Sequence, residues 1–297
     1  MTSEGLSLPD HARDILAEAE RHDGTPAFSD QALLALAAGR RSWFDFGNAI
    51  GALGEGELDL VVKPAARGRG LGGEALGAML DTVGADAELR AWVHGDQPAA
   101  GALLARAGFA PARSLLRMAL DPAALPGAIA GAAPLPTWVR LENFDPTNPI
   151  HATEWVRVNS LAFADHPEQG TVSLDDLLAL TREPWFDAAD LFLAWDGGSE
   201  KNSLAGFTWV KTTRDSGWPE TELYVIGVDP QCAGRGLGAA LLGVTLRCMA
   251  EHDPRRITLY VDGENAGARA LYERAGFTIE QQSTQWVRAV HQTDSAE

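Results

Sequence analysis

The stretch LYVIGVDPQCAGRGLGAALLG, Leu223 to Gly243, decides how this chain reads. Its apolar start predicts a strand that stops at Asp229-Pro230. A short loop follows with Gly234, Arg235, Gly236 and Gly238, and then an apolar-rich run that predicts a helix over Gly236–Glu251. A helix that starts at such a loop leaves its first amides without partners, and together with the helix dipole they can hold an anion. Glycine lets the backbone come close, and Arg235 adds a positive charge. The arrangement suits a pyrophosphate, although a plain tight turn would use the same residues. It is not a P-loop, because no Lys-Ser/Thr pair ends it. It also falls short of the dinucleotide-binding fingerprint in its expected βαβ pattern.

Nearly the same phrase stands earlier in the chain. When LVVKPAARGRGLGGEALGAML (Leu60–Leu80) is aligned with Ile226–Leu246, ten of the 21 positions are identical. Ordinary composition would give about one or two. Farther on, LLARAGF (Leu103–Phe109) matches LYERAGF (Leu271–Phe277) at five of seven positions. The order is kept, which indicates a duplicated domain and not a short solenoid repeat. Between the copies runs DPAALPGAIAGAAPLP, Asp121 to Pro136, with four prolines and two glycines. This composition predicts a linker and domains at 1–125 and 136–297.

In the second half, strands are expected at Trp138–Leu141, Leu191–Trp195, Leu204–Thr212, Glu222–Val228, Ile257–Val261 and Gln285–Val290. Helices are expected at Ala152–Phe163, Ser173–Thr181 (with Ser173 as N-cap), Gly236–Glu251 and Ala266–Ala275. Strands that first meander and then alternate with helices imply an α/β (α+β) fold, a mixed sheet flanked by helices.

The chain has 297 residues, 45% of them hydrophobic, and a formal net charge of -17. Its length suits two domains. The negative field opposes nucleic-acid binding and favours solubility or a cationic small molecule. Two cysteines, Cys232 and Cys248, are too few for a disulfide framework or a cysteine-based zinc site. The seven histidines show no metal spacing, and His166 reads as a loop hydrogen-bonding residue. The start has no signal-peptide pattern, and no apolar run is long enough to span a bilayer. A cytoplasmic protein is expected, with no metal, no nucleic acid and no membrane partner. Nothing in the sequence marks an oligomer interface, so a monomer is expected.

VDPQCAGRGLG followed by NAGARALYERAGF (Asn265–Phe277) resembles the GNAT superfamily of acetyl-CoA-dependent N-acetyltransferases, and the first copy repeats the pattern. The resemblance implies two tandem GNAT domains and acetyl-CoA as co-substrate. In the second domain it would be held by Ile226, Gly227, Val228, Ala233, Gly234, Arg235, Gly236, Leu237, Gly238 and Ala239, and by Asn265, Ala266, Gly267, Ala268, Arg269 and Ala270. In the first domain the matching residues are Leu60, Val61, Val62, Gly68, Arg69, Gly70, Leu71, Gly72 and Gly73. One departure is Ala233, where the family usually has Gln or Arg; the first copy keeps Arg67. The segments VNSLAFADHPEQG, EPWFDAADLFLAW, GFTWVK and LYVDGENAGARALY resemble a tandem member of the family that acetylates the cysteinyl amine of a cysteinyl-glucosaminyl-inositol. This implies an aminosugar-inositol thiol as substrate, with Asp30, Glu168, Lys211, Glu222 and Tyr260 lining its pocket.

Acetyl transfer to an amine needs a base and a group to steady the departing thiolate. Glu222 shares a strand face with Tyr224 and Ile226 and is the candidate base; a solvated strand-end carboxylate is the plain alternative. Tyr272 is the candidate acid, or else an ordinary packing residue of its helix. The first copy has Gly56 and Leu104 at these two positions. An active second domain and a non-catalytic first one are therefore expected. Two other readings stay open: acetylation of another amine (aminoglycoside, polyamine or protein amino terminus), and an acyl-CoA sensor with no turnover.

Overall fold

The computed structural model describes residues 8–84, 87–164, 169–198, 203–214 and 217–289. Two compact units divide the chain. One takes residues up to 116, 262–264 and those from 281 on; the other takes 117–261 and 265–280.

The first unit contains α1 (Asp10–Asp23), α2 (Asp30–Ala37), β1 (Ser42–Asp45), β2 (Ala49–Gly54), β3 (Glu57–Val62), α3 (Leu71–Leu80), β4 (Leu89–Val93) and α4 (Pro98–Arg106). Next comes β5 (Ala110–Leu120), which passes from this unit into the other. The second unit continues with α5 (Leu125–Ala130), β6 (Val139–Asn143), α6 (Pro149–Ala162), α7 (Leu174–Leu180), β7 (Leu191–Asp196) and β8 (Leu204–Thr213). It ends with β9 (Glu220–Val228), α8 (Leu237–Glu251), β10 (Arg256–Asp262), α9 (Ala266–Arg274) and the first residues of β11 (Thr278–Arg288).

Both units share one pairing plan. Three strands meander antiparallel and the third then pairs parallel with a fourth: β1-β2-β3-β4 in the first unit and β7-β8-β9-β10 in the second, with β6 antiparallel beside β7. This is the expected mixed sheet. The parallel step requires a crossover, and α3 and α8 supply it. In the second unit, Trp155 and Val158 of α6 join Leu193, Phe207 and Trp209 in one core on the sheet. Leu237 and Leu241 of α8 meet Ala194 and Ala205 in another.

Two segments differ from expectation. The proline-rich stretch is not an open linker. Proline near the start of α5 costs that helix little, and Leu125 is buried. The chain then runs so close to α8 that a Cβ on Gly243 would lie 2.8 Å from Ala132 Cβ. The last strand begins at Thr278, not Gln285, and its residues 284–288 pair antiparallel with β4 in the first unit. No helix among the described residues is long and apolar enough to cross a membrane.

Candidate active site

β9 carries the candidate base. Its side chains alternate: Thr221, Leu223, Val225 and Gly227 are buried, while Glu222, Tyr224, Ile226 and Val228 are half-buried on the other face. Against β8 the register runs Lys211↔Glu222 and Val210↔Leu223, then jumps to Trp209↔Val225. Tyr224 is thus the extra residue of a β-bulge, a device that bends a strand and often lies beside active sites. On the other edge, the parallel register with β10 ends at Leu259↔Leu223, although both strands continue. The last β10 partner, Leu223, and the bulge, Tyr224, are therefore adjacent, one and two residues past Glu222.

The surroundings of Glu222 are polar and aromatic. Lys211, directly across on β8, holds its Nζ 5.0 Å from the Trp185 ring and 5.9 Å from the Tyr224 ring. Trp185, Trp209 and Tyr224 form an aromatic group with centroids 5.0 to 5.5 Å apart. Tyr260 on β10 is 42% exposed, yet the protein around its phenol and then the charge of Glu222 push its pKa up, against the pull of Arg117. Glu222 thus has Lys211 across from it and the Tyr260 phenol within reach of its charge. Glu168 and His166 lie outside the described residues, as does the side chain of Asp30, the first residue of α2.

Tyr272 sits on α9, 5% exposed, with its ring edge-on to Phe277 at 6.1 Å. Burial pushes its pKa up to about 12. Asn265 caps this helix by accepting from Ala268 N at 3.0 Å, so it fixes the segment that carries Tyr272.

The glycine loop has the geometry of an anion cradle. Gly234 and Gly236 adopt φ of 72° and 80°, and no atom lies within 4 Å of where their Cβ would stand. Gly236 is the N-cap of α8, with no side-chain cap and no acidic residue in the first turn. Arg235 lies over the Trp138 ring, its Cζ 3.6 Å from the centroid, with Asp196 at 4.0 Å. Its charge is held on that side of the loop.

The first unit keeps the glycine loop, and its β3 likewise parts from β4 after Leu58↔Ala91, but it lacks the bulge and the two candidate side chains. Gly68 and Gly70 have φ of 74° and 87°, and Gly70 caps α3. Arg67 is held by Asp23 through two 2.7 Å bonds, which keep the Asp23 carboxyl below its usual range. Arg69 is exposed. The β2–β3 register is unbroken from Ala49↔Val62 to Gly54↔Glu57, so there is no bulge. Gly56, at the position of Glu222, lies in the tight turn with Glu55, both at positive φ. Leu104, at the position of Tyr272, is a buried core residue.

Two halves with one pairing plan, each with a glycine cradle between a strand and a helix, match what comparison with known proteins finds. The sequence model of the Acetyltransferase (GNAT) family matches residues 4–109 and 155–277. The chain belongs to the GNAT acetyltransferase family. It is 41% identical over 293 residues to a mycothiol acetyltransferase of Thermomonospora curvata, covering 93% of each chain. It is 42% identical over 278 residues to one from Thermobispora bispora, covering 89% of this chain and 90% of that one. A tandem GNAT protein from the clavulanic acid biosynthesis pathway shares the fold at a TM-score of 0.68, with 16% identity over 97% of this chain and 96% of that one. The family uses acetyl-CoA, and this chain is a tandem acetyltransferase.

Some of the site was not legible in the sequence. Trp185 lies in a loop without periodicity, and Arg117, Arg256 and Glu280 come together across long separations, with Arg256–Glu280 at 2.7 Å and Arg117–Glu280 at 3.0 Å. Asp190, Cys248 and His252 also converge, their donor atoms within 4.8 Å of one another. Cys248 and His252 have helical i, i+4 spacing, but Asp190 is distant in sequence. Asp190 accepts from Cys248 at 3.2 Å and hydrogen-bonds His252 at 2.8 Å. Burial and the Asp190 charge push the thiol pKa up, so the group satisfies itself as a hydrogen-bonded trio.

Proposed function

We propose that this protein moves the acetyl group of acetyl-CoA to the cysteinyl amine of a cysteinyl-glucosaminyl-inositol, the last step of mycothiol biosynthesis, and that only the second unit does the chemistry. The observation that carries the reading is the pairing of Glu222 with the bulge at Tyr224, which the first unit, with Gly56 and an unbroken β2–β3 register, lacks. The names of the two relatives support the substrate.

The residues present fit acetyl-CoA. The open glycine loop and the uncapped start of α8 suit its pyrophosphate, held by Ala233–Ala239. The edge of β9 beyond Leu223 offers backbone groups to an amide-bearing arm, as an added strand would use them. When bound, acetyl-CoA supplies an electrophilic thioester carbonyl, which the amides of Ile226–Val228 are set to polarise.

Glu222 accepts the proton of the substrate ammonium. An α-amino group has a reference pKa near 7.7 to 8.0, so about a tenth is neutral at pH 7 and deprotonation costs only about 1 to 1.4 kcal/mol. Glu222 therefore also acts by holding the amine in place, a role shared with Lys211 and Tyr260, which meet the sugar-inositol hydroxyls. Orientation can contribute about 7 to 11 kcal/mol. Tyr272 steadies the departing sulfur. With its pKa near 12 and a free thiol near 8.5, full proton transfer is uphill by about 5 kcal/mol. Tyr272 thus works as a neutral hydrogen-bond donor. We assign the protein to the cytoplasm as a monomer; its two free, buried thiols suit a reducing compartment.

The test is to offer purified protein acetyl-CoA with a panel of amines: the cysteinyl-glucosaminyl-inositol, an aminoglycoside, a polyamine and a peptide amino terminus. Release of free CoA with the first alone supports the reading. Preference for another amine overturns the substrate, and no turnover with any overturns the enzyme.

A further inference from the structure

The residue just before each glycine loop is tethered to a 14-residue helix of its half, α1 in one and α6 in the other, and the two tethers have opposite polarity. In the second unit, Arg157 of α6 donates from Nη1 to Asp229 Oδ2 at 2.8 Å and from Nη2 to the Leu204 carbonyl at 2.9 Å. Glu154 holds the guanidinium from below and accepts from Leu204 N at 3.1 Å. In the first unit the position before Pro64 is Lys63, and its Nζ lies 3.3 Å from Glu18 of α1. Glu18 is the ninth residue of a 14-residue helix that begins at Asp10; Arg157 is the ninth of a 14-residue helix that begins at Pro149. The place is the same and the charges are exchanged.

Asp229 does more than Lys63 can. Its Oδ1 accepts from Gln231 N at 2.9 Å and caps the short turn Pro230–Cys232, whereas Lys63 gives its turn no side-chain cap. Both residues use their backbone alike: Asp229 N donates to Ala205 O and Lys63 N to Asn48 O, each at 2.8 Å. Asp229 is thus fixed at both carboxylate oxygens and at its amide, and its side chain is 8% exposed. From there only four residues lead to Gly234.

We propose that Arg157 is a positioning residue for the acetyl-CoA cradle: it orients Asp229, which sets the entry of the glycine loop so that the amides at the start of α8 face the pyrophosphate. This rests on the reading that the second loop holds acetyl-CoA. Arg157 touches no reacting atom, so its loss weakens binding of the acyl donor and leaves the amine side and the chemical step alone. A charge-assisted bond to a buried carboxylate is strong enough for its loss to be felt at the loop.

The experiment is steady-state kinetics on the full chain with Arg157→Met, Arg157→Lys and Asp229→Asn, beside Glu18→Gln as a control in the other half. Melting temperatures show whether each variant is folded. Arg157→Met should raise KM for acetyl-CoA about tenfold, with kcat and the amine KM within about twofold. Arg157→Lys should restore part of the loss, and Asp229→Asn, which keeps the cap on Gln231, should not add to Arg157→Met in the double variant. Glu18→Gln should leave the acetyl-CoA KM unchanged. Folded Arg157 variants with an unchanged acetyl-CoA KM, or with both KM values raised equally, overturn the tether. CoA protection that maps away from residues 233–239 in the unaltered protein overturns the cradle reading itself.

Discussion

Glu222 on β9 lies directly opposite Lys211 on β8, two residues before the bulge at Tyr224. A carboxylate and an ammonium side by side on one sheet face suit an amine that must lose a proton and a polyol that must be held. Replacing Glu222 with Gln should lower kcat/KM about 100-fold at pH 7, the low end of general-base effects, because part of the amine is already neutral. The deficit should shrink as pH rises past 8, where the amine no longer needs a base. A pH profile of kcat/KM for both proteins checks this.

Tyr272 makes its contribution as a donor with a pKa near 12. Tyr272→Phe should lower kcat about 10- to 100-fold, one lost hydrogen bond to developing charge, with the acetyl-CoA KM nearly unchanged. The unaltered protein should show no alkaline loss of rate from this tyrosine up to pH 10. Stopped-assay rates at saturating acetyl-CoA from pH 6 to 10 measure both.

Gly227 makes room for a ring. A Cβ there would stand 2.7 Å from Phe207 Cζ, and Phe207 is fully buried. Gly227→Ala should destabilise the second unit by about 1 to 3 kcal/mol through overpacking and should disturb β9 just beyond the bulge. Thermal melting reads the first effect and a drop in kcat/KM the second.

His94 provides an acid limit. Burial holds its pKa down at about 4, against an ordinary 6.5. A depressed histidine favours the fold above its unfolded pKa, and that stability is lost as pH falls from 6.5 toward 4. Complete passage through this window costs about 3 kcal/mol. Melting temperature should therefore fall over this range in the parent and fall less in His94→Gln.

The sequence made the cradle visible because glycine, proline and the Asp-Pro step mark local backbone geometry, and the duplication made it visible twice. It also showed that Gly56 and Leu104 replace Glu222 and Tyr272. The bulge was hidden because Tyr224 becomes an extra residue only by the register it keeps with β8. The start of β11 was hidden because Thr278–Glu280 is exposed and shows no apolar alternation, and the strand is completed by pairing with β4, far away in sequence. The grip of Asp23 on Arg67 spans 44 residues, and no local pattern encodes it. The proline-rich stretch read as a linker because composition does not reveal that Leu125 is buried and that Ala132 lies against Gly243 of α8.

The most direct test of the account is single-turnover acetylation by the Glu222→Gln, Tyr272→Phe double variant, measured beside its affinity for CoA. The account predicts that acetyl transfer is abolished while CoA still binds with parental affinity, since the cradle is untouched. Acetylation at the parental rate by this variant would contradict it.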